Sequence, residues 1–124
     1  MIKIYCIYRI NNYICTKKLK KKNMKYFAIE GTFNNPNPLS PEELKKAINE
    51  HIKYLQKGFD EGWILISGPK AYTGGGVILM KAESINIVED YINNDPLKIC
   101  GVQIYNIIEF KLHDCQEAIK NWFN

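Results

Sequence analysis

His51 is the residue whose type and spacing point most directly to chemistry. It follows Leu44 by seven residues and Ala47 by four, and precedes Leu55 by four, so in a helix it continues an apolar face. A half-sheltered imidazole can accept or donate a proton near neutral pH; the plainer alternative is a structural histidine with one hydrogen bond to a neighbour. Asp95, in the run NNDPL, has a plain explanation, since aspartate before proline is common in turns, where its carboxylate accepts nearby backbone N–H groups. Ser67, in SGP, stands at a strand end where it could touch a ligand or satisfy backbone groups. Tyr72, beside the triple glycine, could line a pocket or cap the core. His113 lies in a polar stretch with no evident partner and reads as solvent-exposed.

Other chemistries find little support. Cys6, Cys15, Cys100 and Cys115 form no CxxC pair and have no histidine at metal-ligand spacing, so a zinc site is not expected. Reduced thiols in a cytoplasmic compartment are expected, where a buried cysteine behaves as a small apolar side chain. No GxSxG context marks a nucleophile. The glycines at 74–76 lack the Lys-Ser/Thr of a phosphate loop and read as a hairpin connection. No metal or organic cofactor is expected.

The elements that must position these side chains follow from local patterns. Residues 25–31 are aromatic and aliphatic with a terminal glycine, a strand pattern, and the turn formers TFNNPNPL come next. Ser40, Pro41 and Glu43 then make a strong helix start, with a capping box predicting a helix to about Lys57. Residues 63–68 and 77–82 predict two strands joined as a hairpin. Ser84 caps a second helix over 85–93, closed by Asp95-Pro96. Residues 101–110 predict the last long strand, and a short helix over about 115–122 ends the chain. The order β-α-β-β-α-β is the split pattern of an α+β, ferredoxin-like fold: a four-stranded antiparallel sheet with two helices on one face. Tyr105 and Ile107 are expected on the other face, which is too apolar for full exposure, so a homodimer formed sheet to sheet is expected.

The chain carries 17 basic and 13 acidic residues, but the imbalance is local. Residues 1–23 hold seven basic side chains and no acidic one, leaving residues 24–124 with ten basic and thirteen acidic, a net charge of −3. Such a domain offers no electrostatic footprint for nucleic acid, although the run KKLKKK leaves that as a poorer reading for the extension. No stretch approaches the roughly 20 apolar residues of a membrane span. Residues 1–23 run from apolar to basic, the reverse of a secretory signal. They read as a β-hairpin pairing with the sheet, a basic tail that touches anionic surfaces, or a segment upstream of a native start at Met24, and the last is favoured because composition changes there and a regular strand begins.

Several pieces together carry a resemblance. HIKYLQKGFDEGWILISGP, residues 51–69, resembles the YCII-related family's helical histidine, glycine, strand and Gly-Pro ending, and NNDPL is similar to its Asp-Pro segment. With the opening strand MKYFAI, the resemblance covers nearly all of residues 24–124. It implies a fold of the dimeric α+β barrel group and an active-site pair that maps onto His51 and Asp95. It also implies acid-base chemistry on a small cyclic or aromatic compound by isomerisation, elimination or decarboxylation. In such a pair the carboxylate fixes the imidazole tautomer and leaves the other nitrogen as base. The rival reading is a non-catalytic module that binds a small ligand in the same pocket. The geometry poses a difficulty, since Asp95 is expected near the start of the first helix and His51 about 15 Å along it.

Overall fold

The computed structural model describes the backbone of residues 4–10 and 13–19 and all of residues 23–124. A native start at Met24, and the side chains before residue 23, lie outside the described residues. Ile4–Ile10 (β1) and Tyr13–Leu19 (β2) pair antiparallel with each other as a two-stranded sheet, separate from the main one.

Alternation makes Lys25–Phe33 (β3) a strand with two distinct faces: Phe27, Ile29 and Gly31 are buried, while Lys25, Glu30 and Thr32 are exposed. Pro41–Asp60 (α1) follows the expected capping box. The Ser40 hydroxyl accepts from the Glu43 N–H at 3.2 Å, and the Glu43 carboxylate accepts from the Ser40 N–H at 3.3 Å. The helix runs one turn beyond Lys57, to a C-cap at Glu61. Ile64–Pro69 (β4) and Gly75–Ala82 (β5) form the expected antiparallel hairpin, with a bulge between Ile64 and Ile66. Gly75 has φ of +102°, and a Cβ there would stand 2.0 Å from the Gly31 carbonyl oxygen, so both conformation and space require glycine.

Ile85–Asn93 (α2) has the predicted bounds and the Ser84 cap. Asp95 does more than close it. Its side chain caps a further helical turn, Pro96–Ile99 (α3), absent from the sequence reading. Gln103–Phe110 (β6) completes a four-stranded antiparallel sheet of order β4-β5-β3-β6, the ferredoxin-like arrangement.

The core lies between this sheet and the helices. Phe27, Ile29, Ile78 and Met80 meet Leu55 of α1 and Val88 and Ile92 of α2. Fully burying each such side chain contributes about 1.5–3 kcal/mol. One expectation is corrected here: Tyr105 and Ile107 pack on this helix-side core, and their neighbours Ile104 and Ile108 occupy the open face. Across that open face the register aligns Ile66, Leu79, Ala28 and Ile108 in one row.

The C-terminal segment Glu117–Phe123 is a 3-10 helix that folds over one end of the open face. The Tyr26 hydroxyl donates to the Phe123 carbonyl, and the Tyr26 ring meets both Trp122 and Phe123. Lys81 donates to the Trp122 carbonyl at 2.6 Å, and the Trp122 indole N–H donates to the Gly62 carbonyl at 2.8 Å.

Candidate active site

His51 stands on α1 between Ala47 and Leu55, both buried, so the helix carries its imidazole toward the sheet. Asp95 reaches it because of α3. Oδ1 accepts the Leu97 N–H at 2.9 Å, and Leu97 and Ala47 share a small core with Val102 that packs α3 against α1. The expected 15 Å separation is thus removed by a helical turn that the sequence did not announce.

His51 Nδ1 lies 2.7 Å from Asp95 Oδ2, with Asp95 fully buried and the His51 side chain 16% exposed. With Asp95 ionised, Nδ1 carries the proton and Nε2, on the opposite edge of the ring, keeps its lone pair. The Tyr105 hydroxyl donates to the same Oδ2 at 2.6 Å, with Gln103 on the same face of β6 two residues before it. Among the described residues, no buried side-chain nitrogen or oxygen lacks a partner.

His51 lines a cavity of about 330 Å³ between α1 and the sheet. Ile48, Ile52 and Leu55 of α1 and Leu97 of α3 form its apolar side; Ser67, Gln103 and Tyr105 come from the strands. Among the described residues, its lining holds no lysine, arginine, aspartate or glutamate. Ser67 reaches the lining from near the end of β4. Tyr72 does not line the cavity: its side chain is 99% exposed, because the loop before Gly75 turns it into solvent. His113 is exposed, as expected.

Gln103 and Tyr105 were missed as site residues because they were assigned to the open face. A usable signal was present in Gly31, which pairs across the sheet with Tyr105. A Cβ at Gly31 would lie 2.5 Å from the Gln103 amide nitrogen, so this glycine leaves the room that the glutamine side chain fills.

Three tyrosines surround Asp95. Burial pushes the Tyr105 hydroxyl well above the usual phenol range, and its hydrogen bond to Asp95 adds to this. Burial does the same to Tyr91, with smaller contributions from Tyr54 and Asp95. The Tyr54 and Tyr91 rings stack with centroids 4.7 Å apart. A phenol that holds its proton in the fold but loses it near pH 10 when unfolded stabilises the fold fully below that pH and progressively less above it. The midpoint of urea unfolding is accordingly expected to fall as pH rises above about 10, and to fall less steeply in Tyr105→Phe. Equal slopes for the two proteins would contradict this.

Among the described residues, no group of three or more His, Cys, Asp and Glu side chains converges as a metal site, and no helix is long and apolar enough to cross a membrane. The fold and site define an α+β domain with an imidazole at the wall of a small apolar cavity and a buried carboxylate hydrogen-bonded to it. The chain belongs to the YCII-related family, whose YCII-related domain matches residues 24–111. No curated protein compared with it matches. Among solved structures it is similar to the 5-chloro-2-hydroxyhydroquinone dehydrochlorinase of Burkholderia phenoliruptrix AC1100, determined in complex with 2,5-dihydroxybenzoquinone. The TM-score is 0.58 at 22% identity, over 69% of this chain and 93% of that one, a likeness of fold.

Proposed function

We propose that this protein is a small enzyme in which His51 acts as general acid-base and Asp95 orients it, on a small cyclic or aromatic compound. The observation that carries the reading is the 2.7 Å contact between an imidazole on the cavity wall and a carboxylate removed from solvent. Such a carboxylate holds one tautomer and stabilises the imidazolium formed when Nε2 takes a proton. A cavity of about 330 Å³ is at the small end for ligand sites, and its uncharged, mostly apolar lining suits a neutral ring. Ser67 is placed to give or accept one hydrogen bond to that ring.

Elimination is the favoured reaction class, isomerisation and decarboxylation being the others that one base can serve. Dehydrochlorination, the activity in the name of the similar structure, is an elimination. Nε2 removes a proton from the substrate, the electron pair left behind forms a new double bond, and the carbon–chlorine bond breaks to release chloride. The test is chloride release from chlorinated hydroxyhydroquinones, followed together with the absorbance of the quinone product. Turnover by the wild-type protein and not by His51→Gln supports the reading; equal turnover by both overturns it.

We also propose that the open sheet face forms a homodimer. The aligned row of Ile66, Leu79, Ala28 and Ile108 supports this, as do Val77 and Ile104, both more than half exposed. Light scattering at micromolar concentration is expected to give twice the chain mass, and Ile108→Lys is expected to reduce it to one. A wild-type monomer would refute the assembly.

A further inference from the structure

Asp95 Oδ2 is shared. It accepts from His51 Nδ1 at 2.7 Å and from the Tyr105 hydroxyl at 2.6 Å, while Oδ1 accepts the Leu97 N–H at 2.9 Å. We propose that Tyr105 is a positioning residue for the acid-base pair, locking the carboxylate and limiting its hold on the imidazole. This rests on the acid-base reading of His51 and Asp95 given above.

Three donors from three elements, α1, α3 and β6, meet one carboxylate that is fully buried. The Leu97 N–H fixes one oxygen, while His51 and Tyr105 divide the other between them. The Tyr105 hydroxyl donates to Asp95, and Gln103, seated in the space over Gly31, acts on that hydroxyl in the opposite sense, lowering its pKa where burial and Asp95 raise it. Tyr105 and His51 thus meet one oxygen of Asp95 from two different elements.

Sharing has an electronic consequence. An ionised oxygen makes short, strong hydrogen bonds, and a second donor on it draws off part of the charge that the first would otherwise feel. The imidazole N–H is held less tightly than by an unshared carboxylate. Tyr54 and Tyr91 also feel the Asp95 charge, but they do not compete for its oxygens. Tyr54 donates to the Tyr91 carbonyl at 2.7 Å, and Tyr91 donates to the Tyr54 carbonyl.

Proton NMR of the full chain, labelled with 15N-histidine, tests the proposal without a substrate. His113, exposed and outside the site, is the internal reference. The wild-type protein is expected to show a downfield, exchange-protected Nδ1–H resonance from His51. In Tyr105→Phe this resonance should move further downfield, as the oxygen is left to one donor, while the His113 signals stay in place. Gln103→Leu should move it in the same direction by less, and provides the reading if Tyr105→Phe does not fold. A His51 resonance present in the wild type and unmoved in the folded variants overturns the role of Tyr105. If the resonance is absent from the wild type, the His51–Asp95 pairing falls first, and this role with it.

Discussion

His51→Gln is expected to reduce chloride release from a chlorinated hydroxyhydroquinone by about 10²–10⁴-fold, the range that a positioned general acid-base contributes. Glutamine is the informative replacement because its amide can still donate to Asp95, so the buried carboxylate keeps a partner while the group that exchanges protons is gone. Stability should therefore change by less than about 1 kcal/mol, since one N–H donor to the carboxylate replaces another. Urea unfolding beside the rate measurement separates the two effects. A large loss of rate in a protein of unchanged stability identifies the imidazole as the reacting group. A loss of rate that only tracks unfolding would return His51 to a structural role.

Asp95→Ala is expected to be the most damaging single change to stability among the site residues, at about 3–5 kcal/mol. The reason is the number of donors it strands. The His51 Nδ1–H, the Tyr105 hydroxyl and the Leu97 N–H all point at this carboxylate, and none has water as an alternative at a fully buried position. The last of these is also the cap of α3, and losing a cap costs about 0.5–2 kcal/mol by itself. Against a total of about 5–15 kcal/mol for a domain of this kind, the variant should unfold at a visibly lower urea concentration. Asp95→Asn preserves shape and an acceptor for the cap, so it should lose much less stability. Its activity should still drop, because an amide cannot stabilise the imidazolium. An alanine variant within about 1 kcal/mol of wild type would show that the network is dispensable to the fold.

Most of the architecture was legible because local signals agreed with one another. Ser40, Pro41 and Glu43 marked the start of α1 through capping chemistry that does not depend on the rest of the chain. Ser84 and the Asp95-Pro96 step likewise bounded α2. The failures fell where two patterns were equally apolar. In β6 both alternating sets carry large side chains, Ile104, Ile108 and Phe110 against Tyr105 and Ile107, so periodicity alone could not say which faces the helices. That choice was made by tertiary fit, through the space at Gly31 and the buried acceptor on Asp95. The α3 turn was missed because four residues are too few to show a helical period, yet it carries Asp95 to His51. Tyr72 was overvalued for its neighbours in sequence, whereas exposure is decided by the path of the loop.

The tail that folds back over the sheet has a practical consequence for watching this molecule. Its two indoles sit on opposite sides of the same β-layer, Trp63 edge-on to Tyr91 and Trp122 against Tyr26 beneath the Lys81 ammonium. Their fluorescence thus reports two separate environments. Emission from a Trp122→Phe protein follows events on the helix-covered flank, and emission from a Trp63→Phe protein follows docking or release of the carboxy-terminal turn.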